Sequence, residues 1–303
     1  MEAAIDIGTN TVLLLVAERK GDELHVIHEE QRIPRLGKGV DQERVLKPDS
    51  VKRVIDSIRE FQAIIEKDYP DVDEIKVTAT SAVRDARNKK SFVNWVKSET
   101  NLDVLILSGK EEAEYTYKGA HSVLSVHDSD NDIFVLDIGG GSTEVIHGRK
   151  GKIIDAYSFD MGSVRFTERF MKHDPPFREE IITCEEAVLH ELMQGKLRPR
   201  KGVTAIGVGG TMTALAAIDK QVDQFDKNEI NGHVIETKKL IAGLDVFALH
   251  THEQILELNP NVLQGRQDIF LAGLIILKQF LITYKLDEII VSMGGVRHGA
   301  ILQ

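Results

Sequence analysis

Two stretches of this 303-residue chain decide its fold: residues 4–11 (AIDIGTNT) and residues 135–143 (VLDIGGGST). Each is typical of a buried strand that ends in Asp-Ile-Gly and is followed by a small-residue turn rich in hydroxyl groups. A second apolar strand follows each turn, at residues 12–17 and 143–147. Two unrelated hairpins would have no reason to share Asp-Ile-Gly at the same point of the same strand order. We therefore interpret the chain as an internal duplication.

The elements around the two stretches recur in the same order. The first half predicts strands at 3–7, 12–17 and 24–28 as an antiparallel meander, a helix at 48–67, a strand at 75–80, a short helix at 92–96 and a strand at 104–107. The second half predicts strands at 133–138, 143–147 and 153–158, a helix at 178–197, a strand at 203–208, helices at 237–249 and 267–284, and a strand at 288–293. Three strands followed by strand–helix units do not form a Rossmann order. They predict an α/β fold with a mixed five-stranded sheet in each half.

The polar stretch at residues 127–132 (HDSDND) is where we expect one half to end. The predicted domains are 1–127 and 128–296, with the tail 297–303 packing back on the first domain.

Composition narrows the class of protein. Lys and Arg number 38 and Asp and Glu 48, which gives a net charge of −10 and disfavours general binding to nucleic acid or to a membrane surface. Cys184 is the single cysteine, which excludes an intramolecular disulfide and a cysteine-based zinc site. The N-terminus has no basic, apolar leader, and no apolar run approaches the ~20 residues that span a bilayer. We expect a cytoplasmic protein.

The turns after the duplicated strands are suited to binding an anion. Glycine at Gly8, and at 139–141, lets main-chain N–H groups approach an anion without interference from a Cβ. Side chains beside these glycines add donors: Asn10, Thr11, Ser142 and Thr143. Asp6 and Asp137, at the strand ends, are candidate ligands of Mg²⁺ or of its waters. A third glycine turn, residues 207–211 (GVGGT), precedes a helix whose N-terminus is free to bind an anion.

Five motifs together resemble the exopolyphosphatase and guanosine-pentaphosphate phosphatase family. They are residues 6–11 (DIGTNT), 80–86 (TSAVRDA), 108–113 (SGKEEA), 137–144 (DIGGGSTE) and 207–211. Together with residues 294–297 (GGVR) they are spread from residue 6 to residue 297, so the resemblance extends over essentially the whole chain. The resemblance implies the superfold of actin, sugar kinases and Hsp70, with two actin-like (ribonuclease H-like) domains and an interdomain cleft. It also implies Mg²⁺-dependent hydrolysis of phosphoanhydrides, with K⁺ as an additional activator. His298 departs from the family, which has an acidic residue after Arg297.

Glu111 and Glu112 have different expected roles. Ser108 and Glu111 have the spacing of a capping box, so Glu111 is expected to cap a helix. Glu112, about 100° further round the helix, is left as the base that activates water, and it occupies the position that the resemblance assigns to catalysis. Its place in the first helical turn favours the ionised form.

The remaining site residues follow from the motifs and the resemblance. We expect Glu112, Glu144 and Arg84 to be catalytic, and Asp6, Asp137 and Glu144 to hold the metal. Arg84 is suited to phosphate oxygens because its guanidinium forks around them. The residues expected to bind phosphate or substrate are Gly8, Thr9, Asn10, Thr11, Arg35, Gly139, Gly140, Gly141, Ser142, Thr143, Gly209, Gly210 and Thr211.

The leading functional hypothesis is removal of terminal phosphate from inorganic polyphosphate. Conversion of guanosine pentaphosphate is the alternative within the family, and an ATP-dependent small-molecule kinase or a non-catalytic sensor belongs to a different class. Glu111 and Glu112 in their motif, together with Arg84, favour the phosphatase. The sequence stops soon after residues 294–297, without the helical C-terminal region of longer family members, so we expect distributive hydrolysis. A homodimer is one oligomeric state that the sequence allows.

Overall fold

The structure, a computed structural model, describes residues 1–21, 23–124, 132–198, 202–222 and 226–303. The chain divides into two compact units, Met1–Ser122 with Gly294–Gln303, and Val123–Met293. The predicted boundary at residues 127–132 lies, apart from Asp132, outside the described residues.

The first unit contains five strands and five helices before the chain enters the second. These are β1 (Glu2–Ile7), β2 (Val12–Lys20), β3 (Glu23–Arg32), α1 (Val40–Glu43), α2 (Pro48–Asp68), β4 (Glu74–Ala79), α3 (Ser81–Asp85), α4 (Lys89–Thr100), β5 (Val104–Ile106) and α5 (Gly109–Val123). The strand order is β3-β2-β1-β4-β5. Strands β1, β2 and β3 pair antiparallel, which confirms the meander, and β1, β4 and β5 pair parallel.

One face of this sheet is covered by α2 and α4. Helix α2 begins with Pro48, whose missing N–H costs nothing in a first turn. Its buried stripe includes Val54, Ile58 and Phe61, which pack with Ile5 and Ile7 of β1 in one core. The periodicity of residues 48–67 therefore predicts the face that the helix buries.

The second unit repeats this arrangement and adds to it. Its elements are β6 (Asp132–Ile138), β7 (Thr143–Arg149), β8 (Lys152–Phe159), α6 (Ser163–Phe170), α7 (Arg178–Gln194), β9 (Thr204–Val208), α8 (Gly210–Asp219), α9 (Lys227–Ile230), β10 (Val234–Glu236), α10 (Thr237–Leu249), α11 (His252–Leu258), α12 (Pro260–Leu263), α13 (Phe270–Tyr284) and β11 (Glu288–Val291).

In the part of the second unit that the structure describes, the sheet has six strands, not the predicted five. Its order is β10-β11-β9-β6-β7-β8, so that β6, β7, β8, β9 and β11 correspond to the five strands of the first unit. The sixth, β10, pairs antiparallel with β11 over three residues. The two mixed sheets, flanked by helices, are the duplicated actin-like, ribonuclease H-like domains that the resemblance implies.

The last helix, α14 (Val296–Ile301), returns to the first unit. Ala300 and Ile301 are buried with Ala4 of β1 and with Leu15 and Ala17 of β2, on the sheet face opposite α2. Within the described ranges, no helix combines the length and the apolar character that crossing a membrane requires.

Candidate active site

The two Asp-Ile-Gly turns have the same main-chain geometry. Gly8 N–H donates to the Thr11 carbonyl at 2.9 Å, and Gly139 N–H donates to the Ser142 carbonyl at 3.0 Å. A Cβ on Gly8 would lie 3.2 Å from that carbonyl oxygen, and a Cβ on Gly139 would lie 3.0 Å from its counterpart. A side chain would therefore crowd this carbonyl in both turns, which favours glycine at the same place in each. The repeated sequence thus forms a repeated turn, once in each unit, and each is a candidate anion-binding turn.

The first turn, which we call loop 1 (Gly8–Thr11), is held from behind by the segment after β3. Gly37 N–H donates to the Thr9 carbonyl at 2.7 Å, and Arg35 N–H donates to the Asn10 carbonyl at 3.0 Å. Arg35 adopts a left-handed conformation with φ 52°. Its main chain therefore has a role in shaping loop 1, beyond the substrate contact that the resemblance implies.

Asp6 lies near the end of β1, two residues before the first residue of loop 1. Its cross-strand partners are Leu13 on β2 and Thr78 on β4. The Thr78 hydroxyl donates to Asp6 Oδ1 at 3.0 Å, which fixes the orientation of this carboxylate.

Arg84 and Glu112 form an ion pair in the first unit. Arg84, on α3, donates through Nη1 to Glu112 Oε2 at 2.6 Å and to the Leu107 carbonyl at 3.1 Å. The Glu112 side chain is only 8% exposed and that of Arg84 is 21% exposed. The structure thus brings together two of the three residues that we expect to be catalytic.

Glu111 is a capping residue, as the spacing predicts. Its Oε2 accepts from the Ser108 N–H at 2.8 Å and from the Ser108 hydroxyl at 2.7 Å, and its own N–H lies 3.3 Å from that hydroxyl. The Ser108 hydroxyl, followed by the Ser108 N–H, lowers the pKa of Glu111 below its ordinary value. Its carboxylate is therefore occupied at the start of α5, while that of Glu112 is turned toward Arg84.

The second turn, loop 2 (Gly139–Thr143), is held from behind by the first turn of α6. The Ser163 N–H donates to the Gly139 carbonyl at 2.9 Å, and the N–H groups of Val164 and Arg165 donate to the Gly140 carbonyl at 2.9 and 3.0 Å. This close approach requires Gly162, since a Cβ there would lie 2.5 Å from the Gly140 oxygen.

Asp137 and Glu144 lie directly opposite each other on β6 and β7, and Ser158 on β8 lies opposite Glu144. The Ser158 hydroxyl donates to Glu144 Oε1 at 2.6 Å, and Glu144 is 1% exposed. We did not single out Ser158 from the sequence. Because Ser158 lies on the strand next to Glu144, counting residues along the β7–β8 hairpin could have paired the two. The register shifts between His147 and Gly148, so that count fails.

The third glycine turn, loop 3 (Gly207–Thr211), leads from β9 into α8, as predicted. Gly209 has a φ of 92°, and a Cβ there would lie 2.9 Å from Asp137 Oδ1. A Cβ on Gly210 would overlap the guanidinium of Arg266. Burial lowers the pKa of Arg266 to about 10. Arg266 is a further candidate phosphate ligand that no motif of the sequence marked.

The carboxylates beside the loops suit a hard cation. Among the described residues, no three or more His, Cys, Asp or Glu side chains gather as a complete metal site. Mg²⁺ usually takes only one or two protein carboxylates and completes its shell with water and phosphate oxygens. The absence of a Cβ at Gly209 leaves space beside Asp137, and Glu144 lies opposite it. In the first unit, Asp6 is the carboxylate beside loop 1. The donor set of each unit therefore fits Mg²⁺.

His298 lies within the tail's attachment to the first unit. It is 1% exposed, its Nδ1 accepts from the Gly295 N–H at 3.3 Å, and its Nε2 lies 3.8 Å from Glu29 Oε1. Arg297 forms an ion pair with the same Glu29 carboxylate. The residue that departs from the family pattern thus packs beside a salt bridge that ties α14 to β3.

Comparison with known proteins gives consistent matches. The model of the Ppx/GppA phosphatase family matches residues 15–303. The chain is 32% identical over 314 residues to a bifunctional 3-dehydroquinate synthase/phosphatase of Fusobacterium nucleatum, covering 100% of this chain and 46% of that protein. It is 30% identical over 322 residues to exopolyphosphatase 2 of Mycobacterium tuberculosis, covering 99% and 97%. The crystal structure of the Aquifex aeolicus Ppx/GppA family member superposes with a TM-score of 0.82 at 32% identity, covering 99% of this chain and 95% of that one.

Proposed function

This chain belongs to the Ppx/GppA phosphatase family, and from that premise we propose that it removes the terminal phosphate from inorganic polyphosphate. Three phosphate-binding turns, a carboxylate beside an arginine, and candidate magnesium ligands are the parts that this hydrolysis needs. The similarity to exopolyphosphatase 2 along 97% of that protein's length supports polyphosphate as the substrate.

The observation that carries the proposal is the 2.6 Å contact between Arg84 and Glu112. The guanidinium favours the negatively charged carboxylate, which is the form that a general base requires. When the terminal phosphate binds Arg84, it competes with Glu112 for the guanidinium. The released carboxylate then accepts a proton from the attacking water, while Arg84 stabilises charge on the phosphoryl oxygens.

Each of loops 1, 2 and 3 offers main-chain N–H groups and hydroxyls to a phosphate group. Such donors are fixed before the substrate arrives, so they stabilise the developing charge without reorganising. Ser158 and Thr78 orient Glu144 and Asp6 in the same way.

In the second unit, Asp137 and Glu144 are the residues that would hold Mg²⁺, and in the first unit Asp6 is the candidate ligand. When bound, the ion neutralises phosphate charge and so lowers the barrier to attack by water. The contribution of the chain is to orient these carboxylates.

A substrate panel tests the proposal. We expect phosphate release from long-chain polyphosphate and tripolyphosphate at rates well above those with guanosine pentaphosphate or ATP, each measured with Mg²⁺. Preferential release from guanosine pentaphosphate would instead assign the other activity of the family. If the chain transfers phosphate from ATP to a small acceptor and releases no free phosphate, it is a kinase. If it binds polyphosphate and does not hydrolyse it, it is a sensor.

A further inference from the structure

One of the contacts behind loop 2 is made by a side chain. Arg165 Nε donates to the Gly141 carbonyl at 2.6 Å, and Arg165 is 5% exposed. With the main-chain bonds from α6, the carbonyls of Gly139, Gly140 and Gly141 all accept from the same side of the loop.

This arrangement sets the direction of the N–H groups. In a planar trans peptide, the C=O and the following N–H point in opposite directions. Because the three carbonyls point toward α6, the N–H groups of Gly140, Gly141 and Ser142 point away from it. Three successive N–H groups on one side form a concave anion site.

In loop 1 the carbonyls of Thr9 and Asn10 are held by main-chain donors. There the carbonyl equivalent to that of Gly141 belongs to Asn10, and it accepts from the main-chain N–H of Arg35. The second unit has the Arg165 guanidinium in the place of that main-chain donor. The orientation of the peptide between Gly141 and Ser142 therefore depends on one side chain, and a point substitution can remove it.

We propose that Arg165 is a positioning residue for phosphoryl transfer: it holds the Gly141 carbonyl so that the Ser142 N–H faces the transferred phosphate. The buried guanidinium also places a fixed positive charge behind the loop, 3.8 Å from the exposed Asp160 carboxylate. The inference rests on the proposed function, since it assigns a role within that site.

Two substitutions separate the hydrogen bond from the charge. Arg165→Lys keeps the charge but places the Cε methylene of lysine where arginine has Nε, so the donor is lost. Arg165→Ala removes both groups and leaves a space that guanidinium ion can enter. Removing a donor that contacts the oxyanion directly lowers kcat by about 10²–10³-fold. Arg165 only holds such a donor in place, so we expect kcat to fall by roughly tenfold in both variants. KM should change less, because the charge on the phosphoryl oxygens grows in the transition state.

The decisive measurement does not need turnover. In backbone ¹H–¹⁵N spectra of the full chain titrated with inorganic phosphate, the Gly140, Gly141 and Ser142 signals should all shift in the wild type. In both Arg165 variants the Ser142 shift should shrink, and added guanidinium ion should restore it, together with kcat, in Arg165→Ala only. Arg178→Ala, an exposed arginine at the start of α7, should behave as the wild type.

The outcomes separate this inference from the function on which it rests. If phosphate shifts loop 2 in an Arg165-dependent way but no phosphoanhydride is hydrolysed, the proposed function fails and the positioning role stands. If Arg165→Lys retains wild-type kcat and an unchanged Ser142 shift, the positioning role is wrong. If Arg165→Ala loses activity only through a lower thermal midpoint, with no rescue by guanidinium, Arg165 is merely structural and the proposal is also wrong.

Discussion

Glu111 and Glu112 are neighbours in sequence but have different surroundings. Glu111 is exposed and accepts two hydrogen bonds from Ser108, whereas Glu112 is buried and contacts Arg84. The difference arises because adjacent helical residues lie about 100° apart around the axis.

Glu112→Gln should abolish turnover and leave polyphosphate binding nearly intact, because only the charge that accepts the proton is lost. Glu111→Gln is the matched control, and it should keep most of the activity because Gln also functions in a capping box. Steady-state phosphate release and equilibrium binding of tripolyphosphate check both. Equal losses in the two variants would contradict this division of roles.

Arg84→Ala should lower kcat/KM by about 10²–10³-fold, because the guanidinium contacts charge that develops on the phosphoryl group. Arg84→Lys should recover only part of the loss, since an ammonium lacks the fork. Lys90→Ala, an exposed cation on α4, serves as the control for general electrostatics. If kcat/KM is unchanged in Arg84→Ala, the ion pair between Arg84 and Glu112 has a structural role and no role in catalysis.

Asp137→Asn and Glu144→Gln should each raise the Mg²⁺ concentration needed for half-maximal activity, because each removes a negative charge beside loop 2. Asp155→Asn, an exposed site on β8, is the control. Activity measured over a Mg²⁺ titration tests this, and wild-type activity that survives thorough chelation would overturn the metal assignment.

Sequence motifs could identify the residues that shape the main chain of the loops. They could not identify long side chains that contact the loops from elsewhere in the sequence. Gly8 and Gly139 are favoured by the local geometry of their turns, so a motif marks them. Arg165 and Arg266 reach the loops from residues outside those motifs, and their contacts depend on how α6 and the segment before α13 pack. No local pattern encodes that packing.

Among the strands, the pairing of β6 with β7 begins at a charged cluster. Asp132 accepts from Arg149 Nε and Nη2, both at 2.8 Å, and lies 3.0 Å from His147 Nε2. The Arg149 hydrogen bonds, and secondly the one with His147, hold the pKa of Asp132 well below its ordinary value, against the effect of burial.

Because this pKa is depressed in the folded state, the cluster stabilises the fold above the unfolded pKa of about 4. The contribution is lost progressively as the pH falls from that value through the lower folded-state pKa. Arg149 is 45% exposed, so we expect about 1 kcal/mol. Urea unfolding of Asp132→Asn at pH 7 should show this loss, and the difference between variant and wild type should be smaller near pH 3 than at pH 7. An equal difference at both pH values would place the effect in packing and not in charge.

The elements that the sequence predicts best are those with strong periodicity. The stripe of α2 and the apolar runs of β1 and β6 are long enough to be distinctive. Strand β10 and helix α6 are among the elements that the sequence did not predict, and they share a reason, since each is short and depends on a neighbour. Strand β10 has three residues and is defined by pairing with β11, while α6 packs against loop 2.

At the scale of the whole molecule, the first unit consists of two separate segments of the chain. Ile301→Ala should lower the free energy of unfolding of that unit by about 2–5 kcal/mol, since the side chain is fully buried against β1 and β2. Ile241→Ala, at an exposed position on α10, is the matched control and should change it little. Urea unfolding monitored by hydrogen exchange resolves the two units, and a loss confined to the second unit would contradict the assignment of α14.

The return of α14 to the first unit has a consequence for synthesis on the ribosome. When residues 1–122 have emerged, the apolar patch of Ala4, Leu15 and Ala17 still lacks Ala300 and Ile301. The whole second unit must be translated before its cover arrives, so a nascent chain carries this patch exposed throughout that interval. The N-terminal unit is thus the first to be synthesised and the last to be completed. Between these two events, the exposed apolar patch is a surface that a chaperone could bind.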